Sequence, residues 1–144
     1  MNLPAKATVT KRFTASAERV FAAWLDPDWL GRWMFGPAVR DERIVRLGLE
    51  PRVGGKFSFV VDRGGTETDH VGEYLEIDHP RRLVFTWGVR ENLPNTSRVT
   101  VDIVPAGTGC ELTLTHTMDP EWAAYVGRAA AWGKMLEALA VVLR

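Results

Sequence analysis

Apolar positions recur along this chain with two periods, and the switches between them divide it into elements. Ala7, Val9 and Phe13 alternate with Thr8, Thr10 and Arg12, the two-residue period of a half-buried strand whose inner face is interrupted by Lys11. Ser16 follows as a helix N-cap, with Glu18 near the positive end of the helix dipole. Val20, Phe21, Trp24 and Leu25 then share one helical stripe. Asp26-Pro27 closes that helix and opens another, with Asp26 as cap and Pro27 at the first position. Leu30, Trp33 and Met34 line this second, shorter helix, and Gly36-Pro37 ends it.

From there the period becomes two, and β-branched and aromatic residues take over between Gly-rich turns. Arg40 to Leu47 is the weakest strand. Lys56 to Arg63 carries Phe57, Phe59 and Val61 on one face, and Gly64-Gly65 turns it into Glu67 to Asp78. Arg81 to Arg90 offers Leu83, Phe85 and Trp87; Arg98 to Val104 offers Val99, Val101 and Ile103; a Pro105 to Gly109 turn leads to Cys110 to Thr117. Such short connections imply antiparallel hairpins and a meander.

A long final helix is predicted from Asp119 as cap and Pro120 at the first position. Trp122, Tyr125, Val126, Ala129, Trp132, Gly133, Leu136, Leu139, Ala140 and Leu143 keep the 3.6 period. It would reach about 35 Å, enough to cross a sheet. Its stripe mixes large rings with Gly and Ala, a pattern that leaves space beside a helix. The order β-α-α-β6-α predicts an α+β fold, a curved antiparallel sheet around a long C-terminal helix, with a cavity between them.

Length and composition narrow the partners. The 144 residues suit one domain, 1–144, and carry 18 Lys plus Arg against 18 Asp plus Glu, so no net field attracts nucleic acid or an anionic membrane. Arg40, Arg43 and Arg46 are interspersed with acids, and Arg81-Arg82 follows Asp78 and His79, the pattern of a solvated face. The longest apolar runs, Val20 to Leu25 and Ala138 to Leu143, fall far short of the roughly 20 residues of a membrane span. The N-terminus lacks the pattern of a secretory signal, which makes the cytoplasm the expected address. A lone cysteine, Cys110, excludes an internal disulfide.

Three segments carry a resemblance. They are Asp26-Pro-Asp-Trp-Leu-Gly-Arg-Trp-Met-Phe-Gly-Pro37, Arg52-Val-Gly-Gly-Lys-Phe57, and Gly72-Glu-Tyr-Leu-Glu-Ile-Asp-His-Pro-Arg-Arg-Leu-Val-Phe-Thr-Trp87. With Glu111 to His116 and Trp132 to Leu136, they resemble the activator of heat-shock protein 90 ATPase homologue-like (AHSA-like) branch of the START-like, or SRPBCC, superfamily. Glu50-Pro51 and Ala131 depart from the family's usual residues. The resemblance implies the helix-grip, birch-pollen-allergen-like fold and a cavity for an apolar small molecule, including lipids. Polyketide-cyclase-like or hydrolase-like enzymes and chaperone co-factors share that superfamily. The chaperone partner is discounted, because eukaryotic members of the family carry a separate chaperone-binding domain that 144 residues leave no room for.

The candidate lining residues are Trp33, Phe35, Phe57, Phe59, Tyr74, Phe85, Trp87, His116, Trp132 and Leu136, an apolar set with a few polar groups. Trp24 and Trp33 are expected near the cavity mouth; Trp29 and Trp122, each near a helix start, are expected at edges or an interface. Exposed Trp and Phe rings would be compatible with a homodimer. His116 shares its strand face with Leu112 and Leu114 and points inward, either as a general acid or base or as a satisfied polar contact. The face used by His70 is ambiguous, with Asp69 or Glu73 as potential site partners, and His79 belongs to a solvated turn before Pro80. No spacing of His or Cys fits a metal, so neither metal nor cofactor is expected. No nucleophile elbow or phosphate loop is present, and no catalytic residue is assigned.

Overall fold

The computed structural model describes residues 5–118 and 128–144. Strand β1 (Ala5–Phe13) is followed by helices α1 (Ala17–Ala22) and α2 (Pro27–Trp33). Six strands come next: β2 (Arg43–Leu49), β3 (Lys56–Arg63), β4 (Thr66–Asp78), β5 (Arg82–Val89), β6 (Ser97–Ala106) and β7 (Gly109–Met118). Helix α3 (Arg128–Val142) completes the order. The seven strands form one antiparallel sheet in the order β1-β7-β6-β5-β4-β3-β2. This is the helix-grip α+β architecture implied by the sequence. The predicted start of the last helix, with Asp119, Pro120, Trp122, Tyr125 and Val126, lies outside the described residues, as does the side chain of Ala129.

Local signals account for the element boundaries. The Ser16 hydroxyl accepts from the Arg19 N–H (3.3 Å), and the Asp26 carboxylate accepts from the Asp28 N–H (2.9 Å), each satisfying a donor that the helix start leaves unpaired. Between Arg40 and Leu47 the expectation is corrected to Arg43–Leu49. A bulge between Ile44 and Arg46 breaks the two-residue period there and leaves Val45 exposed. Arg40 and Glu42 belong instead to the preceding loop. The buried Glu42 carboxylate accepts from the Gly36 N–H (2.8 Å), from Arg40 (3.0 Å) and from Arg63 on β3 (2.7 Å), clasping that loop to the sheet.

The core lies on the concave face. Cys110, Leu112, Leu114, His116 and Met118 of β7 point inward and alternate with half-buried residues, and Ser97, Val99, Val101 and Ile103 do the same on β6. Helix α3 presents Trp132, Met135, Leu136, Leu139 and Leu143 as its buried stripe, and packs beside β1 and α2. Burying Leu136 and Leu139 alone contributes roughly 1.5–3 kcal/mol each. Lys11, the charge on the inner face of β1, reaches Glu137 of α3 (2.7 Å), which reconciles a lysine with that position.

Candidate functional site

Two glycine positions shape the interior. In the turn between β2 and β3, Gly54 adopts a positive φ of 83°, and a Cβ on Gly55 would collide with the Glu50 carbonyl. Their backbone groups exchange hydrogen bonds with Tyr74, Gly54 N–H to Tyr74 O and Tyr74 N–H to Gly55 O, each 2.9 Å, so this turn positions Tyr74 on β4. On β4 itself, a Cβ at Gly72 would meet both the Thr86 carbonyl and the Phe57 ring. The glycine therefore lets that ring lie flat across the strand.

Around these positions the rings converge. Phe57 stacks on Phe59 (4.7 Å between centroids) and approaches Tyr74 (5.5 Å), Trp87 (5.8 Å) and Phe85 (5.8 Å). These five predicted residues form one wall of a common chamber; Trp24, Leu30, Met34 and Leu83 complete it. In the sequence these four are apolar members of helical or strand stripes. Their membership in the chamber has no local signal, because it arises only when α1, α2 and β5 pack together. The chamber is nearly filled, with a void of about 10 Å³, no more than a single water requires. None of its lining residues belongs to α3, so this chamber is not the space expected between the long helix and the sheet.

The other predicted residues stand around the chamber rather than in its wall. Trp33 is fully buried, with its indole N–H on the Ala23 carbonyl (3.0 Å) and its ring edge-on to Trp24 (4.6 Å). Both Trp24 and Trp33 are therefore interior, and the expected position at a mouth is corrected. Phe35 lies between Phe59 (5.6 Å) and Trp87 (6.3 Å), and Leu136 sits in the seam of helix and sheet. Trp29 is half-buried beneath the Arg32 guanidinium (4.9 Å), and Trp122 is outside the described residues. No Trp or Phe among the described residues is exposed.

His116 and Trp132 belong to a hydrogen-bonded chain that ties helix to sheet. Trp132 Nε1–H, which can only donate, faces His116 Nδ1 (3.1 Å), and the Ser97 hydroxyl donates to the Trp87 carbonyl (3.0 Å). These partners assign the imidazole proton to Nε2, which donates to Ser97 Oγ (2.6 Å). Ser97 and His116 thus stand at the distance of a nucleophile and its base. A catalytic pair needs an acceptor on the far imidazole nitrogen, and Trp132 supplies a donor. With its proton already on Nε2, His116 cannot take the Ser97 proton; the group is a clamp. Ser97 carries no signal in the sequence, because its partners Trp87 and His116 lie on other elements.

His70 is buried on the inner face, between Phe35 (4.9 Å) and Trp87 (5.5 Å), with Nδ1 on the Phe59 carbonyl (3.2 Å). Asp69 and Glu73 occupy the opposite face of β4, so the suggested sharing of a site is corrected by strand alternation. Burial pushes the His70 imidazole below its ordinary value, opposed by the hydrogen bond to Phe59, with Arg63 and Arg40 depressing it further and Glu42 raising it. Burial likewise raises the Tyr74 phenol well above its usual range, and it raises the Cys110 thiol, helped by the Glu18 charge. His79 is exposed and meets the Phe21 ring edge-on (4.9 Å).

On the convex face a second concavity of about 460 Å³ runs over Leu49, Lys56, Ser58, Val71 and Thr86 to Arg90 and Leu93. Two of its polar lining residues are paired with neighbours: Ser58 accepts from Arg46 (2.9 Å) and donates to Asp69 (2.7 Å), and Arg90 donates to Asp69 (2.7 Å).

The sequence profile of the family described as Activator of Hsp90 ATPase homolog 1-like protein matches residues 14–144. The chain belongs to this family. Among solved structures, a Chromobacterium violaceum protein superposes with a TM-score of 0.82 at 22% identity, covering 96% of both chains. A Rhizobium loti protein gives 0.78 at 26% identity, again over 96% of each chain. The solution structure of an Arthrobacter aurescens protein gives 0.80 at 24%, covering 96% of this chain and 85% of that one. No curated protein matches the sequence. Among the described residues no helix is long and apolar enough to cross a membrane.

Proposed function

We infer that this family member binds an uncharged apolar or aromatic small molecule in the chamber between the α1–α2 segment and strands β3 to β5. The observation that carries the reading is the chamber wall: Phe57, Phe59, Tyr74, Phe85, Trp87 and Trp24 gather from three strands and the end of α1, and no charged side chain joins them. Small-molecule pockets are lined mainly by apolar and aromatic side chains with few polar groups, which is the composition of this wall. The void of about 10 Å³ means that ligand binding parts these rings, and observed affinity is scaled by the population of the open arrangement.

A panel of fatty acids, steroids and polycyclic aromatics tests the reading through tryptophan emission and thermal unfolding. The expected outcome is quenching of emission, because Trp24 and Trp87 belong to the wall and the Trp132 ring lies 6.2 Å from the first and 5.6 Å from the second. A ligand present at a hundred times its Kd also adds about 2.7 kcal/mol of stability and raises the melting temperature. A panel that changes neither observable sinks the proposal.

A further inference from the structure

Resting on the chamber reading, we propose that Trp24 is its specificity donor: the indole N–H hydrogen-bonds a carbonyl-type oxygen of a flat, uncharged aromatic ligand. Trp24 Nε1 is a fully buried donor with no hydrogen-bond partner among the described residues. Nearly all buried polar groups in native proteins are paired, so an unpaired one asks for a reason. The same core pairs its neighbouring indoles, Trp33 with the Ala23 carbonyl and Trp132 with His116.

The surroundings define what could pair with it. Trp24 is part of the chamber wall, and the remaining wall side chains are apolar apart from the Trp87 indole N–H and Tyr74, whose phenol stays neutral because burial opposes its ionisation. A carboxylate or ammonium group would enter without a counter-charge and be rejected by desolvation. A carbonyl oxygen needs only the donor that is already there. The ring faces around it favour a planar skeleton, and contacts with Trp33 (4.6 Å), Phe85 (6.2 Å) and Trp132 (6.2 Å) hold the indole in one orientation before a ligand arrives.

Fluorene and fluorenone share one flat tricyclic skeleton and differ by a carbonyl oxygen, so parting the rings costs the same for both and cancels in the comparison. Fluorenone is expected to bind the wild-type protein about tenfold more tightly than fluorene. In the Trp24→Phe variant that ratio falls toward one. In isotope-labelled wild-type protein, fluorenone moves the Trp24 indole proton downfield and slows its exchange with solvent relative to the fluorene complex, a readout independent of whether the variant folds. Equal affinities with an indole proton alike in both complexes overturn the role of Trp24 and leave the chamber reading standing. Binding of neither probe also overturns the inference, and the wider ligand panel then decides the chamber reading separately.

Discussion

Ser97, His116 and Trp132 show how one atom's donor character redirects a familiar pair. The Ser–His distance of 2.6 Å would suit nucleophilic chemistry, but the indole on Nδ1 holds the ring in the tautomer that donates to serine. Their work is to fasten α3 to β6 and β7. Replacing Ser97 by Ala removes its hydrogen bonds to His116 and to the Trp87 carbonyl, and should lower unfolding free energy by about 1–3 kcal/mol in urea titrations. Ser97→Thr, if its methyl group is accommodated, keeps the hydroxyl and most of the stability. The inward direction of His116 is readable from its phase with Leu112 and Leu114. Its partners are not readable, because β6 and α3 bring them from 19 and 16 positions away.

Helix α3 carries a glycine in its interior with no evident steric reason. A Cβ built at Gly133 meets nothing within 4 Å among the described residues, so the residue forgoes helix propensity without easing a contact there. Gly133→Ala should therefore stabilise the protein by roughly 0.5–1 kcal/mol, measured as a higher urea midpoint with an unchanged slope. Gly72 is the opposite case, since its Cβ would strike backbone and ring together. Other element features were legible: Ser16 and Asp26 act as the caps their types suggest, and β3 runs over the residues its period marks. Strand β2 was poorly legible because its bulge interrupts the alternation on which strand reading depends.

Across the molecule, two buried ionisable groups tie stability to pH. His70 has a folded value below its ordinary 6.5, so the unfolded chain binds more protons as pH falls beneath 6.5, and stability is lost from there downward. For Glu42, burial acts to raise the value, but the Gly36 N–H, Arg63 and Arg40 together outweigh it and set the net below 4.5. Its contribution is present above pH 4.5 and disappears as pH drops through the lowered folded value. Urea midpoints measured against pH should accordingly fall in two windows. Subtracting the His70→Gln curve isolates the upper window and subtracting the Glu42→Gln curve isolates the lower; an unchanged profile in either variant would remove that residue's assigned part.

Period, caps and turns act over a few neighbouring residues, and they were enough for the order of elements, the inward faces and the α+β architecture. They also brought together five of the wall residues, because Phe57, Phe59, Tyr74, Phe85 and Trp87 occupy inward positions on consecutive strands. Whether space remained among those rings depends on side chains from helices and strands filling one volume at once. Packing closed that space to about 10 Å³, paired two indoles with acceptors brought from other turns of chain and left the Trp24 N–H without one. No local pattern encodes such outcomes, since volume and hydrogen-bond partners are properties of the assembled interior.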